Sequence, residues 1–110
     1  MTVQSKKYLF DILFAIESIE QFVSEINSFL EYSNDKKTQS AVERQIGIIG
    51  EAANKYAKLN PDNSIENIKL IIGLRNRIIH AYDSIDNAVI WAIIVNHLPN
   101  LKQEVQRKLD

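Results

Sequence analysis

One stretch in the second half of the chain concentrates side chains that can do chemistry. Residues 73–83 contain two of the four arginines and one of the two histidines, and Arg75, His80 and Tyr82 are spaced as Arg-x4-His-x-Tyr. Asn76 and Arg77 directly follow the first arginine. A histidine exchanges protons near neutral pH, and a guanidinium binds phosphate oxygens through a fork of hydrogen bonds. These residue types therefore indicate a candidate site for phosphate chemistry.

Cleavage of an RNA phosphodiester needs this pair when the ribose 2′-hydroxyl is the internal nucleophile. One side chain then moves the proton, and a cation neutralises the crowded phosphate, so no metal ion is required. An arginine and a histidine near a helix end also cap carbonyl groups or solvate a surface. The residue types alone leave both interpretations open.

Helix geometry restricts how these residues can act together. On an ideal helix Asn76 and Arg77 lie within about 60° of His80, whereas Arg75 lies about 140° away and shares a face with Tyr82. One helix can direct Arg75 and His80 at one substrate only if it ends near the histidine or if a second copy of the chain contributes.

Charge is distributed unevenly although the net charge is only −1. No acidic residue occurs between Glu66 and Asp83, and Lys69, Arg75 and Arg77 lie in that interval, which we call the basic segment (residues 67–82). This pattern indicates a local site for a polyanion rather than a protein that is basic overall.

Composition excludes several classes of function. With 110 residues and no cysteine, the chain is expected to be a single domain, residues 1–110, without disulfides, thiolate metal sites or a cysteine nucleophile, in keeping with the cytoplasm. His97 has no histidine or glutamate partner at metal-binding spacing, so we expect no metal and no other cofactor. The longest apolar run, 88–95, is shorter than the roughly 20 residues of a membrane span, so no membrane association is expected.

Apolar residues recur every three to four positions, which predicts an all-α protein, a four-helix bundle with a short C-terminal helical extension. The expected core side chains of the second helix are Val42, Ile46, Ile49, Ala53 and Tyr56. The first two expected helices run from Ser5 to Tyr32 and from a capping box at Ser40–Glu43 to Leu59. The third runs from an N-cap at Ser64 through Ile79, and the fourth from Asn87 to about His97. Pro99 either kinks the fourth helix or starts a final helix to Leu109.

Two segments, 9–16 and 88–95, are apolar on almost every side. Either they are central helices packed deeply, or a homodimer buries the surplus surface. Core or dimer contacts are the expected roles of the aromatic residues Phe10, Phe14, Phe22, Phe29 and Trp91.

The Arg75-x4-His80-x-Tyr82 pattern resembles the Arg-x4-His-x-Tyr motif of HEPN-domain proteins, and more closely the HepT family of toxin ribonucleases. The resemblance covers most of the chain. It includes the flanking strings Glu43-Arg-Gln-Ile-Gly-Ile-Ile-Gly-Glu-Ala52, Ile85-Asp86, Val89-Ile-Trp91 and Leu98-Pro99.

The resemblance implies a HEPN bundle that dimerises so that two motifs meet in one cleft. It implies a type VII toxin that cleaves RNA without a metal ion, with Arg75 and His80 catalytic and Asn76, Arg77 and Tyr82 supporting. Its partner would be an MNT-type nucleotidyltransferase antitoxin that transfers AMP to Tyr82. A non-catalytic helical subunit that scaffolds a nucleotidyltransferase, or a plain helical oligomer, remain the alternatives, and neither needs Arg75 or His80.

Overall fold

The computed structural model describes residues 1–80 and 86–110, and these residues form six α-helices. Their bounds are α1 Val3–Phe22, α2 Phe29–Ser33, α3 Lys36–Leu59, α4 Ile68–His80, α5 Asn87–Asn96 and α6 Leu98–Leu109. The longest helix, α3, packs against α1 on one side and α4 on the other, while α6 packs against α1 and α5. The predicted all-α fold is confirmed.

The first helix is shorter than the predicted span from Ser5 to Tyr32. It ends at Phe22, and a separate short helix, α2, begins after Ser28. The Ser28 hydroxyl accepts the Glu31 N–H at 3.2 Å, and the Glu31 carboxylate accepts the Asn27 N–H at 2.9 Å. This reciprocal cap starts a new helix where apolar spacing alone predicted continuation. Leu30, which follows the apolar spacing of the predicted first helix, is 69% exposed.

The second long helix begins earlier than predicted. Asp35 caps α3 by accepting the Thr38 N–H at 3.0 Å and the Thr38 hydroxyl at 2.7 Å, so the expected capping box at Ser40–Glu43 is wrong. Ser40 lies on the exposed side of the second turn instead. The predicted buried stripe of this helix is confirmed: Val42, Ile46, Ile49, Ala53 and Tyr56 all belong to the core.

The helix that carries the candidate site starts later than predicted. Ser64 does not cap it, because α4 begins at Ile68, after Asn67 with a φ of 61°. The intervening turn is fixed to α6, since the Glu66 N–H donates to both carboxylate oxygens of Glu104 at 3.1 Å. Ile65, in this turn, is nevertheless buried.

The C-terminal part agrees with the sequence pattern. Asp86 caps α5 by accepting the Ala88 N–H at 2.8 Å. Of the two possibilities for Pro99, the structure shows the start of a new helix, with the proline in the first turn of α6, where its missing N–H costs nothing. This extension contributes Leu101 and Val105 to the core.

The aromatic side chains divide between core and surface. Trp91 is partly buried, and its ring lies 5.3 Å from that of the buried Tyr32. Phe10 and Phe14 are 55% and 76% exposed, so the core placement is wrong for both. No helix among residues 1–80 and 86–110 is both long enough and apolar enough to cross a membrane.

We expect Asp35→Ala to lower the melting temperature, because α3 loses its N-terminal cap. Ser40→Ala is the matched control and should leave the melting temperature unchanged or raise it, since alanine favours the helix interior. Hydrogen bonds from Thr38 hold the pKa of Asp35 below its ordinary value. The stabilisation is therefore present above the unfolded-state pKa of about 3.9 and is lost as the pH falls through the lowered pKa of the folded state.

Thermal unfolding of the wild type and both variants between pH 3 and pH 7, followed by circular dichroism, is the measurement. Equal losses from Asp35→Ala and Ser40→Ala would contradict this assignment of the cap.

Candidate active site

The position of α4 is set by an unusually close contact with α3. A Cβ placed on Gly50 would collide with the Cβ of Arg75, lie 2.8 Å from its Cγ and approach the Ile71 carbonyl oxygen to 3.2 Å. The small residue therefore lets the backbone of α4 and the root of the arginine side chain approach α3 directly.

The guanidinium of Arg75 is held by neighbours on both helices. Its Nη1 donates to the Asn76 side-chain oxygen at 2.9 Å, and its Nη2 lies 4.0 Å from a carboxylate oxygen of Glu51. The Arg75 side chain is 26% exposed, and its Nε is buried without a hydrogen-bond partner among the described residues. A long ion pair at an exposed carboxylate contributes little stability. Its consequence is to orient a fork of donors that phosphate oxygens can also reach.

Arg77 lies on a different side of α4 from Arg75. Together with Lys69 it lines a groove of about 250 Å³ between α4 and α5, whose remaining lining is Leu70, Gly73, Leu74, Val89 and Ile93. The cations of the basic segment are thus divided. Arg75 faces α3, and Lys69 and Arg77 border α5.

The remaining residues of the motif lie at the end of α4. Residues 75–80 all belong to this helix, whose last residue is His80. Arg75 and His80 therefore lie on one described helix, five residues apart. Tyr82 lies outside the described residues.

His97 lies at a different pocket from the one that Lys69 and Arg77 line. It lines a surface pocket of about 220 Å³ together with Glu66, Glu104 and Arg107, beside the start of α6. Among the side chains that the structure describes, residues 1–79 and 86–110, no three histidines, aspartates or glutamates come together as a metal-binding group.

Glu51 was not singled out as a site residue from the sequence. Its contact with Arg75 depends on how α3 and α4 cross, which no local pattern specifies. Gly50 was the available signal, because a glycine inside a helix is unfavourable unless something needs the space. The residue beside such a glycine lies next to the helix crossing.

Comparison with known proteins finds similarity over most of the chain. A family model described as ribonuclease HepT-like matches residues 12–107. A probable ribonuclease HepT of Thermococcus cleftensis is 39% identical over 106 residues, which cover 93% of each chain. A putative RNase of Methanocaldococcus jannaschii is 35% identical over 103 residues, which cover 92% of this chain and 93% of that protein.

The fold also matches a solved structure. The tri-AMPylated HEPN toxin of Shewanella oneidensis, in complex with an MNT antitoxin, superimposes with a TM-score of 0.80 over 100% of both chains at 18% sequence identity. At that identity the likeness establishes the shared HEPN fold. The family model extends over the helices that carry and support Arg75, and on that match the chain belongs to the HepT-like ribonuclease family.

Proposed function

We propose that this protein is a toxin endoribonuclease that cleaves RNA without a metal ion. The observation that carries the proposal is the guanidinium of Arg75, which is oriented by Asn76 and Glu51, remains partly exposed, and lies five residues before His80. The HepT-like family match supports a ribonuclease. Arg75 and His80 are the catalytic residues, and Asn76, Arg77 and Tyr82 support them.

The chemistry needs one proton acceptor, one proton donor and a cation. Histidine takes the proton of the ribose 2′-hydroxyl as its oxygen attacks phosphorus. The bond to the 5′ oxygen then breaks, and a protonated histidine supplies the proton to that leaving oxygen. Arg75 binds the phosphate oxygens as negative charge accumulates on them. The products are a 2′,3′-cyclic phosphate and a 5′-hydroxyl.

Two copies of the chain are proposed to build one cleft. On α1, Lys7 and Asp11 line a groove with Glu51 of α3, the carboxylate beside Arg75. Helical spacing places the exposed Phe14 on the same face of α1 as Lys7 and Asp11. A homodimer that buries Phe14 therefore also brings the Arg75 side of both copies to the interface, where Arg75 of one copy and His80 of the other act on one substrate.

Control by a nucleotidyltransferase antitoxin is the third part of the proposal. The Shewanella oneidensis protein of the same fold is described as tri-AMPylated and in complex with an MNT antitoxin. Here the proposed acceptor is Tyr82. An AMP on this tyrosine adds a negative phosphate and bulk near Arg75 and Arg77, so it competes with RNA for the same cations.

A non-catalytic subunit that scaffolds a nucleotidyltransferase is the alternative function. It would use the same bundle and the same exposed α1 face. It has no need of an arginine held ready for phosphate, so the Arg75 geometry favours the enzyme.

We expect Arg75→Ala and His80→Ala each to reduce RNA cleavage by at least about 100-fold while the helical content is retained. Arg107→Ala is the matched control, because it removes an exposed arginine from α6. Activity should persist in EDTA, and the products should end in a 2′,3′-cyclic phosphate. Cleavage that stops with the chelator, or wild-type rates in His80→Ala, would refute the mechanism.

The assembly prediction is a mass of twice 12.6 kDa by light scattering at micromolar concentration. Phe14→Glu should shift the protein towards monomer, because a charge would have to be desolvated at the interface. Leu30→Glu changes an equally exposed apolar residue on α2 and should stay dimeric. A monomeric wild type would rule out the two-copy cleft.

The modification prediction concerns which tyrosine accepts AMP. Tyr32 and Tyr56 are fully buried, which leaves Tyr8 as the accessible tyrosine among the described residues. Tyr82→Phe should abolish the mass increase of one or more AMP groups after incubation with the antitoxin and ATP, whereas Tyr8→Phe should not. AMP mapped to Tyr8 by peptide mass spectrometry would overturn the assignment.

A further inference from the structure

The two glycines near the middle of α3 occupy very different surroundings. Gly47 has open space around it, because none of the described atoms would lie within 4 Å of a Cβ built there. Gly50, less than one turn later, is buried beneath Arg75. A glycine is less favourable than alanine inside a helix, so only Gly50 has a structural reason to be a glycine.

The absence of a side chain at Gly50 makes room for the Cβ and Cγ of Arg75. The Arg75 Cβ and Cγ lie over the bare Cα of Gly50, and the carbonyl oxygen of Ile71, one turn earlier on α4, is the next nearest atom. Fixing Cβ and Cγ limits where the guanidinium can go. It ends between Asn76, on its own helix, and Glu51, the residue that follows Gly50.

We propose that Gly50 is a positioning residue for Arg75, with Glu51 beside it as the carboxylate that orients the guanidinium. The proposal rests on the proposed role of Arg75 in RNA cleavage. Gly50 touches neither RNA nor the reacting atoms. It acts by letting the Arg75 side chain start close to α3, which places Nη1 and Nη2 of the guanidinium where both can bind a phosphate.

Displacement of Arg75 should change kcat and KM to different extents. Lys69 and Arg77 line the groove on the α5 side of α4, and a methyl group on Gly50 does not meet them. Their attraction for the RNA backbone should therefore persist when Arg75 is displaced. The loss should fall on kcat, because a catalytic group about 1 Å out of place costs up to roughly 100-fold, while KM changes little.

The test compares Gly50→Ala with Gly47→Ala, using a short single-stranded RNA that carries a fluorophore and a quencher. For folded Gly50→Ala we expect kcat to fall by about 10- to 100-fold with KM within about twofold of wild type. Gly47→Ala should keep wild-type kinetics and an equal or higher melting temperature. A Gly50→Ala variant with the kinetics of Gly47→Ala, or one that loses affinity with kcat intact, would overturn the proposal.

Glu51→Gln tests the role of the Glu51 charge, since it keeps the size of the side chain and removes its charge. A severalfold lower kcat at an unchanged melting temperature is expected. Lys55→Gln, which removes the other ion-pair partner of Glu51, is the control and should leave kcat unchanged. Wild-type kinetics in Glu51→Gln would remove Glu51 from the proposal.

Steric coupling between residues 50 and 75 can be measured from melting temperatures, without an assay of RNA cleavage. Arg75→Gly removes the Cβ and Cγ that a new methyl group on residue 50 would meet. We expect Gly50→Ala to lower the melting temperature by several degrees in the wild type and by much less in the Arg75→Gly background. If Gly50→Ala alone fails to fold, the Arg75→Gly background should restore a folded protein. Equal losses in both backgrounds would contradict the positioning role. A wild type that does not cleave RNA would contradict the proposed function instead, and this thermal comparison would still decide the role of Gly50.

Discussion

The close approach of α4 to α3 at Gly50 is the contact on which the candidate site depends. Protein interiors are packed without spare volume, so two helices approach this closely only where a side chain is missing. Here the missing side chain lies under Arg75, and the arginine leaves the crossing with its first two carbons fixed by the neighbouring helix. The guanidinium donates a hydrogen bond to Asn76 and lies 4.0 Å from the Glu51 carboxylate, while part of the side chain remains exposed. Packing and the proposed phosphate recognition therefore meet in one residue.

The rest of the bundle keeps that crossing in place. Ile46, Ile49 and Tyr56 place α3 in the hydrophobic core, and α3 packs against α1 as well as against α4. The turn before α4 is tied to α6 through Glu66 and Glu104. The core contacts of α3 and the Glu66–Glu104 hydrogen bonds thus restrain the two helices on either side of the crossing, and we expect them to resist its adjustment. This rigidity is what makes one added methyl group a sensitive probe.

The sequence predicts the helices and much of the core because apolar spacing is a local property of the chain. It does not predict where helices begin and end. Ser28 and Glu31 interrupt an apolar pattern that continues through Val23 and Ile26, and Asp35 caps α3 although Ser40–Glu43 has the better-known pattern. Arg75 was found from its spacing to His80. Its contact with Glu51 was not, because it joins residues that are distant in sequence and depends on the angle at which two helices cross.

The central claim is that Arg75 of one copy and His80 of the other serve a single cleft. Mixing two inactive variants tests it most directly. Arg75→Ala and His80→Ala proteins are unfolded together, refolded as a mixture and assayed for RNA cleavage beside each variant refolded alone. The mixed dimer contains one cleft with an intact arginine and an intact histidine on opposite copies, so the mixture should recover a substantial fraction of wild-type activity. A mixture that has re-formed dimers and is as inactive as either variant alone would contradict the account.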